Sequence, residues 1–191
     1  LSIFYVIAGA GLILNFVQFL ARLTEIEIII YLLYFLSSFL IIFSPIFILI
    51  FINIILKVDF PNKKYILIVF FYAIGCIIIH LFPGGITFNE NWTPVYSWTF
   101  FIVANIFLTI FIVIPMILYS IQLSRTFISQ DLKRRLRLFL LGITALSLEL
   151  YGGVLFNTWQ EPIFRYIYGL LGIFLFISSG LMIYYGIGKS L

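Results

Sequence analysis

Two ionisable side chains fall inside long apolar runs of the sequence, at Glu149 and His80. A charge is expensive there, so such residues are functional candidates by default. Glu149 lies well inside the run 136–157, near the midplane of a membrane crossed by a helix that rises about 1.5 Å per residue. Steps of three and four residues carry its face through Gly142, Ala145, Gly152 or Gly153, and Phe156 or Asn157. Small faces mark close helix contact and not lipid exposure. A carboxylate in that position either binds a proton or a ligand, or stays neutral and bonds a neighbouring helix. Asn105, at similar depth, and Ser178 and Ser179 are its candidate partners, while Tyr151 points elsewhere. His80, at the outer end of its run, either senses pH and contacts a ligand or is bonded locally. Asn15 and Gln18 stand three residues apart and share a helix face. Depth alone groups them with His80, Trp92, Trp98 and Trp159 as a candidate outer pocket.

Other chemistries lack their residues. The chain has one His and one Cys, too few for a bis-His haem or for the three or four ligands of zinc. The patterns H-E-x-x-H and G-x-S-x-G are absent. Lysines occur only at 57, 63, 64, 133 and 189, none in mid-span where a retinal Schiff base would need one. A single intramembrane carboxylate forms no acid–base dyad. The expectation is therefore a non-enzymatic protein without metal or cofactor. Cys76 permits no internal disulfide.

The elements that position these residues follow from composition. Of 191 residues, 64% are hydrophobic and 9% charged, and mean hydropathy is +1.23. Soluble domains carry about 25% charged residues, so the chain is expected to be a polytopic membrane protein. Runs such as IFYVIAGAGLIL lack the alternation of a membrane β-barrel. The expected fold is an all-α transmembrane helix bundle, one domain over 1–191. Its spans are near 1–20, 28–56, 65–82, 95–119, 136–157 and 163–187. The second run would exceed about 40 Å as one helix, longer than the hydrocarbon core, so it must tilt, project or bend at Pro45. Pro115 is a second expected kink. The chain opens within an apolar run that reads as a span, not a signal peptide. One further helix upstream would make seven.

Charge sets the orientation. Nine basic residues (Lys57, Lys63, Lys64, Arg125, Lys133, Arg134, Arg135, Arg137 and Lys189) fall on one side, against Arg22 and Arg165 on the other. The positive-inside rule places the nine, and the C-terminus, in the cytoplasm of a cell-membrane protein. Trp92, Trp98 and Trp159 mark the opposite interface, with Glu25, Glu27, Glu90 and Glu161. The basic patch Lys133, Arg134, Arg135 and Arg137 sets topology or meets anionic lipid, at about 1 kcal/mol per residue near the surface. Ser129 or Asp131 is the expected N-cap there. Pro83-Gly84-Gly85 predicts a turn, and Asn91-Trp92-Thr93 is a glycosylation sequon on the outer side.

From Asn89 onward the sequence includes NENWTPVYSWTFF, ISQDLKRRLRLFLLGI, TWQEPIFRYIYGLLG and SSGLMIYYGIGKSL. This resembles the seven-helix membrane input modules that precede archaeal and bacterial histidine kinases. The shared features are an outer Trp-Pro element (Trp92, Pro94), a basic re-entry with Gly142, and a last span running into the cytoplasm. The resemblance implies a membrane sensor, with a signalling domain following Leu191. The alternative is an accessory subunit whose small-residue faces (Gly142, Ala145 and Gly152; Gly169 and Gly172) meet other chains or a second copy. A small transporter or channel would need more polar residues along a path. No nucleic-acid partner is expected.

Overall fold

The computed structural model describes residues 1–57, 63–126 and 129–186. Lys189, residue 187 of the last expected span, residues 58–62 of the first basic loop and 127–128 of the second lie outside the described residues. Six helical stretches are long and apolar enough to cross a membrane: Ser2–Thr24, Glu27–Leu56, Lys63–His80, Trp98–Arg125, Gln130–Thr158 and Pro162–Gly186. They are the six expected from the sequence. The chain divides into two compact units, Leu1–Val103 and Ala104–Leu191.

In the first unit, helix α1 (Ser2–Ala21) packs on α2 (Glu27–Phe43). Gly11 permits the approach, because a Cβ there would lie 2.9 Å from Ile41 Cγ1. The long second run breaks at Ser44-Pro45 and resumes as α3 (Ile46–Lys57). Pro45 has no N–H to give the carbonyl four residues back, that of Ile41. Ser44 Oγ donates to that carbonyl at 3.0 Å. The next one, Ile42, accepts from Tyr72 Oη at 2.8 Å. Tyr72 belongs to α4 (Lys63–His80) and is fully buried. A proline bend in an apolar medium thus has its freed carbonyls bonded by side chains.

Beyond α4 the chain forms a hairpin that sequence reading places in a loop. Strands β1 (Ile86–Phe88) and β2 (Pro94–Tyr96) pair antiparallel, with Ile86 opposite Tyr96. Asn89 builds the connection. Its Oδ1 accepts from the backbone N–H groups of Asn91 (3.1 Å) and Thr93 (2.9 Å), and Trp92 adopts φ +55°. Three-residue strands carry too short an alternation to register against a membrane composition.

In the second unit, α5 (Trp98–Leu108, which begins in the first) runs through a π turn, Thr109–Val113, into α6 (Ile114–Thr126). The Ile114 N–H reaches back five residues to Thr109 O. This wider turn comes directly before Pro115, where an α-helical register would clash with the carbonyl four residues back. Helix α7 (Gln130–Thr158) starts six residues before the expected span, because Ser129 caps it by accepting from Leu132 N. The basic patch is therefore its first turns. Helix α8 (Pro162–Gly186) packs along α7. Gly142 faces the Ile183 backbone, and Gly186 faces that of Phe139.

Candidate functional site

Two polar constellations stand out, one in each unit. In the first unit, His80 is buried, 7% exposed, at the end of α4. Its Nε2 meets Ser38 Oγ at 2.8 Å. Ser38 is eleven residues along α2 from Glu27, or about 16 Å deeper. Helix α4 therefore stops short, and the hairpin fills the space above its end, beside the first turns of α2. Phe88 packs edge-on to Tyr31 (4.5 Å) and Tyr34 (5.2 Å). The Tyr34 and Tyr96 hydroxyls share a buried hydrogen bond.

A groove of about 520 Å³ remains between α2 and β1. Glu27, Ile28, Tyr31, Leu32, Tyr34 and Phe35 form one wall, Ile86 and Phe88 the other, and His80 and Leu81 contribute at the end of α4. Both ring nitrogens of His80 are engaged within the protein. Nδ1 lies 2.7 Å from Cys76 O. A carbonyl only accepts, so Nδ1 carries the hydrogen. With the ring neutral, Ser38 must then donate to Nε2, and its single hydrogen is unavailable to Phe35 O at 3.4 Å. The imidazole holds α4 to α2 as a fixed part of the groove.

Of the other residues grouped by depth, Trp92 stands beside the groove, 6.3 Å edge-on from Tyr31. Gln18 is buried, and its Oε1 accepts from Arg22 Nη2 at 3.1 Å. Arg22 Nη1 donates to Thr93 Oγ1 at 3.3 Å, tying α1 to the hairpin. Asn15 and Trp98 are exposed, Trp98 resting against Phe101. Asn91 is exposed in the hairpin connection. Trp159 belongs to the second unit. The depth grouping omits Glu27, Tyr31, Tyr34, Ser38 and Tyr96. Stepping from Glu27 by four, three and four residues gives Tyr31, Tyr34 and Ser38, a polar stripe that helix periodicity would have shown.

In the second unit, Glu149 Oε2 accepts from Tyr168 Oη at 3.0 Å, and the same hydroxyl lies 3.0 Å from Glu149 O. Two glycines make room. A Cβ at Gly172 would stand 3.1 Å from Oε2, and one at Gly152 would collide with the Tyr168 phenol. Stacked rings of Trp159, Phe164 and Tyr168 lead from the end of α7 to the carboxylate. The partner is thus a tyrosine on α8. Ser178 and Ser179 donate back to Leu175 O and Phe176 O of their own helix. Asn105 Oδ1 is buried without a hydrogen-bond partner among the described residues. Beside it, Thr109 Oγ1 meets Tyr151 Oη at 2.6 Å. Tyr168→Phe is expected to cost about 1–2 kcal/mol, since it leaves the carboxylate without this donor. Glu149→Gln retains an acceptor oxygen and is expected to cost less. Thermal unfolding in detergent of the two variants and their double mutant measures the coupling.

At the start of α7, Asp131, Arg134, Arg135, Arg137, Leu138 and Leu141 line a shallow cavity of about 560 Å³. Arg135 pairs with Asp131 at 3.2 Å. Lys133, Arg134 and Arg137 are exposed. Among the described residues no group of three or more His, Cys, Asp or Glu could hold a metal ion. No protein-family model, curated protein or solved structure matches the chain at a significant level.

Proposed function

We propose that the chain is a non-enzymatic multi-pass membrane protein, a signal-input module that receives a small amphipathic ligand in the groove between α2 and the hairpin. The groove geometry carries this reading. Its volume falls in the usual range of small-molecule sites, about 300–1,000 Å³. Its walls are aromatic and aliphatic, Glu27 stands at one end, and the ring nitrogens of His80 are already bonded. The mouth is edged by Ile28, Leu32 and Leu81, all exposed. A ligand could therefore enter from the lipid with its polar end near Glu27. The resemblance of the later spans to kinase input modules points the same way.

In this reading the groove end faces outward, and the start of α7 faces the cytoplasm, by the distribution of basic residues. Arg134 and Arg137, above Leu138 and Leu141, would meet anionic lipid there. The accessory-subunit reading has less support. Gly142, Gly152 and Gly172 pack on Ile183, Tyr168 and Glu149 of the same chain.

Leu32→Trp, at a position 58% exposed, fills the groove without disturbing the core. Native mass spectrometry after extraction from cell membranes is expected to find a small amphipath on the wild-type chain. Retention by Leu32→Trp should be at least about tenfold lower. Equal retention by both, or none by the wild type, contradicts the assignment.

A further inference from the structure

The groove's chemistry says more about its ligand than its size does. Glu27 has no hydrogen-bond or ion-pair partner among the described residues, and it is exposed in the first turn of α2. Four residues on, one helical turn deeper, comes Tyr31, 42% exposed, with Phe88 at 4.5 Å and Trp92 at 6.3 Å. Tyr34 and Phe35 continue the wall. One carboxylate above a cluster of π faces is the environment that organic cations occupy. The negative ring faces and the carboxylate attract the charge, and the rings replace weakly held water. An anionic head would meet Glu27 with like charge. The basic residue on this side of the unit, Arg22, donates to Gln18 and Thr93 and does not line the groove, although its charge is felt at Tyr34 on the groove wall.

Depth gives the other half. Leu32 and Phe35 lie five and eight residues beyond Glu27, about 8 and 12 Å further along the helix. Leu32 and Leu81 are exposed and apolar. Polar recognition is therefore at the groove's outer end and apolar recognition at its inner end, as for a lipid-like molecule seated head outward.

We infer that the groove between α2 and the hairpin binds an amphipath with an organic-cation head, held by Glu27 and the Tyr31 ring, and an apolar chain lying along Leu32. The inference rests on the groove being a ligand site, as proposed above, and adds the class of ligand.

The test loads the full chain in nanodiscs with decanoylcholine, or with its neutral isostere, 3,3-dimethylbutyl decanoate, at equal mole fraction. Native mass spectrometry counts the adducts. The two differ in charge but little in shape. The cation is expected to be retained about tenfold more than the isostere. Glu27→Gln and Tyr31→Leu should each reduce its retention by about tenfold, and Tyr31→Phe, which keeps the π face, should not. All three variants lie at exposed positions, and an unchanged unfolding midpoint verifies that each is folded. Equal retention of cation and isostere, or a cation adduct indifferent to Glu27→Gln and Tyr31→Leu, overturns the cationic head. If Leu32→Trp still displaces both probes, the groove stands as a site for neutral amphipaths. Retention of neither probe by the wild type overturns the head group and the groove together.

Discussion

Gly186→Val is expected to cost about 3 kcal/mol or more, lowering the unfolding midpoint in detergent by roughly 6–12 °C. A Cβ at Gly186 would lie 2.7 Å from Phe139 N and 2.8 Å from Phe139 Cα. These are backbone atoms of α7 and cannot swing aside as the end of a side chain could. The two helices must separate locally, which loosens the packing of Gly142 on Ile183 and of Gly172 on Glu149. Gly153 is the control. Nothing lies within 4 Å of a Cβ there, so Gly153→Ala, on α7, should leave the midpoint unchanged or raised, given the better helix propensity of alanine. Equal destabilisation by both would mean that glycine acts through helix flexibility and not through close approach.

Tyr72→Phe is expected to cost about 1–3 kcal/mol, the penalty for leaving a buried polar group unsatisfied. The ring is retained, so no cavity forms; the hydroxyl is lost, and with it the donor to Ile42 O and the contact with the Cys76 side chain. That donor is needed because Pro45 breaks the ladder. Tyr72→Phe should therefore cost much less in a Pro45→Ala background, where α2 and α3 can run on and bond the carbonyl internally. A double-mutant cycle by reversible unfolding in mixed micelles reads the difference. A coupling near zero would mean that the hydroxyl acts through Cys76 and not by mending the break.

The sequence carries the six spans plainly, since runs of about 20 apolar residues punctuated by charge have no other stable form. It also marks Pro45 and Pro115 as breaks, through the chemistry of a missing N–H. It does not show how each break is mended. That depends on Tyr72, which is 27 residues downstream of Pro45 and on another helix, and on a π turn no residue pattern announces. Glu149 is legible as a carboxylate within a span on a small face, because composition makes it conspicuous. Tyr168 is not, being one tyrosine among 12, and the phenol reaches α7 only because Gly152 leaves space. The level at which His80 meets α2 is not legible for a related reason. Span boundaries in a uniformly apolar chain do not say how far one helix slides along the next. The His80–Ser38 and Tyr72–Ile42 bonds fix that register, and with it the space the hairpin fills.

In the proposed orientation the groove opens outward while the arginines of α7 lie inside. Cys76 is fully buried, so the wild-type chain should give little background with a membrane-impermeant maleimide. Asn91→Cys, in the exposed hairpin connection, and Leu132→Cys, in the first turn of α7, report the two ends without removing a charge. On intact cells Asn91→Cys is expected to label at once, and Leu132→Cys only after the membrane is permeabilised. Labelling of Leu132→Cys on intact cells, with Asn91→Cys protected, would contradict the orientation and with it an outward-facing input site.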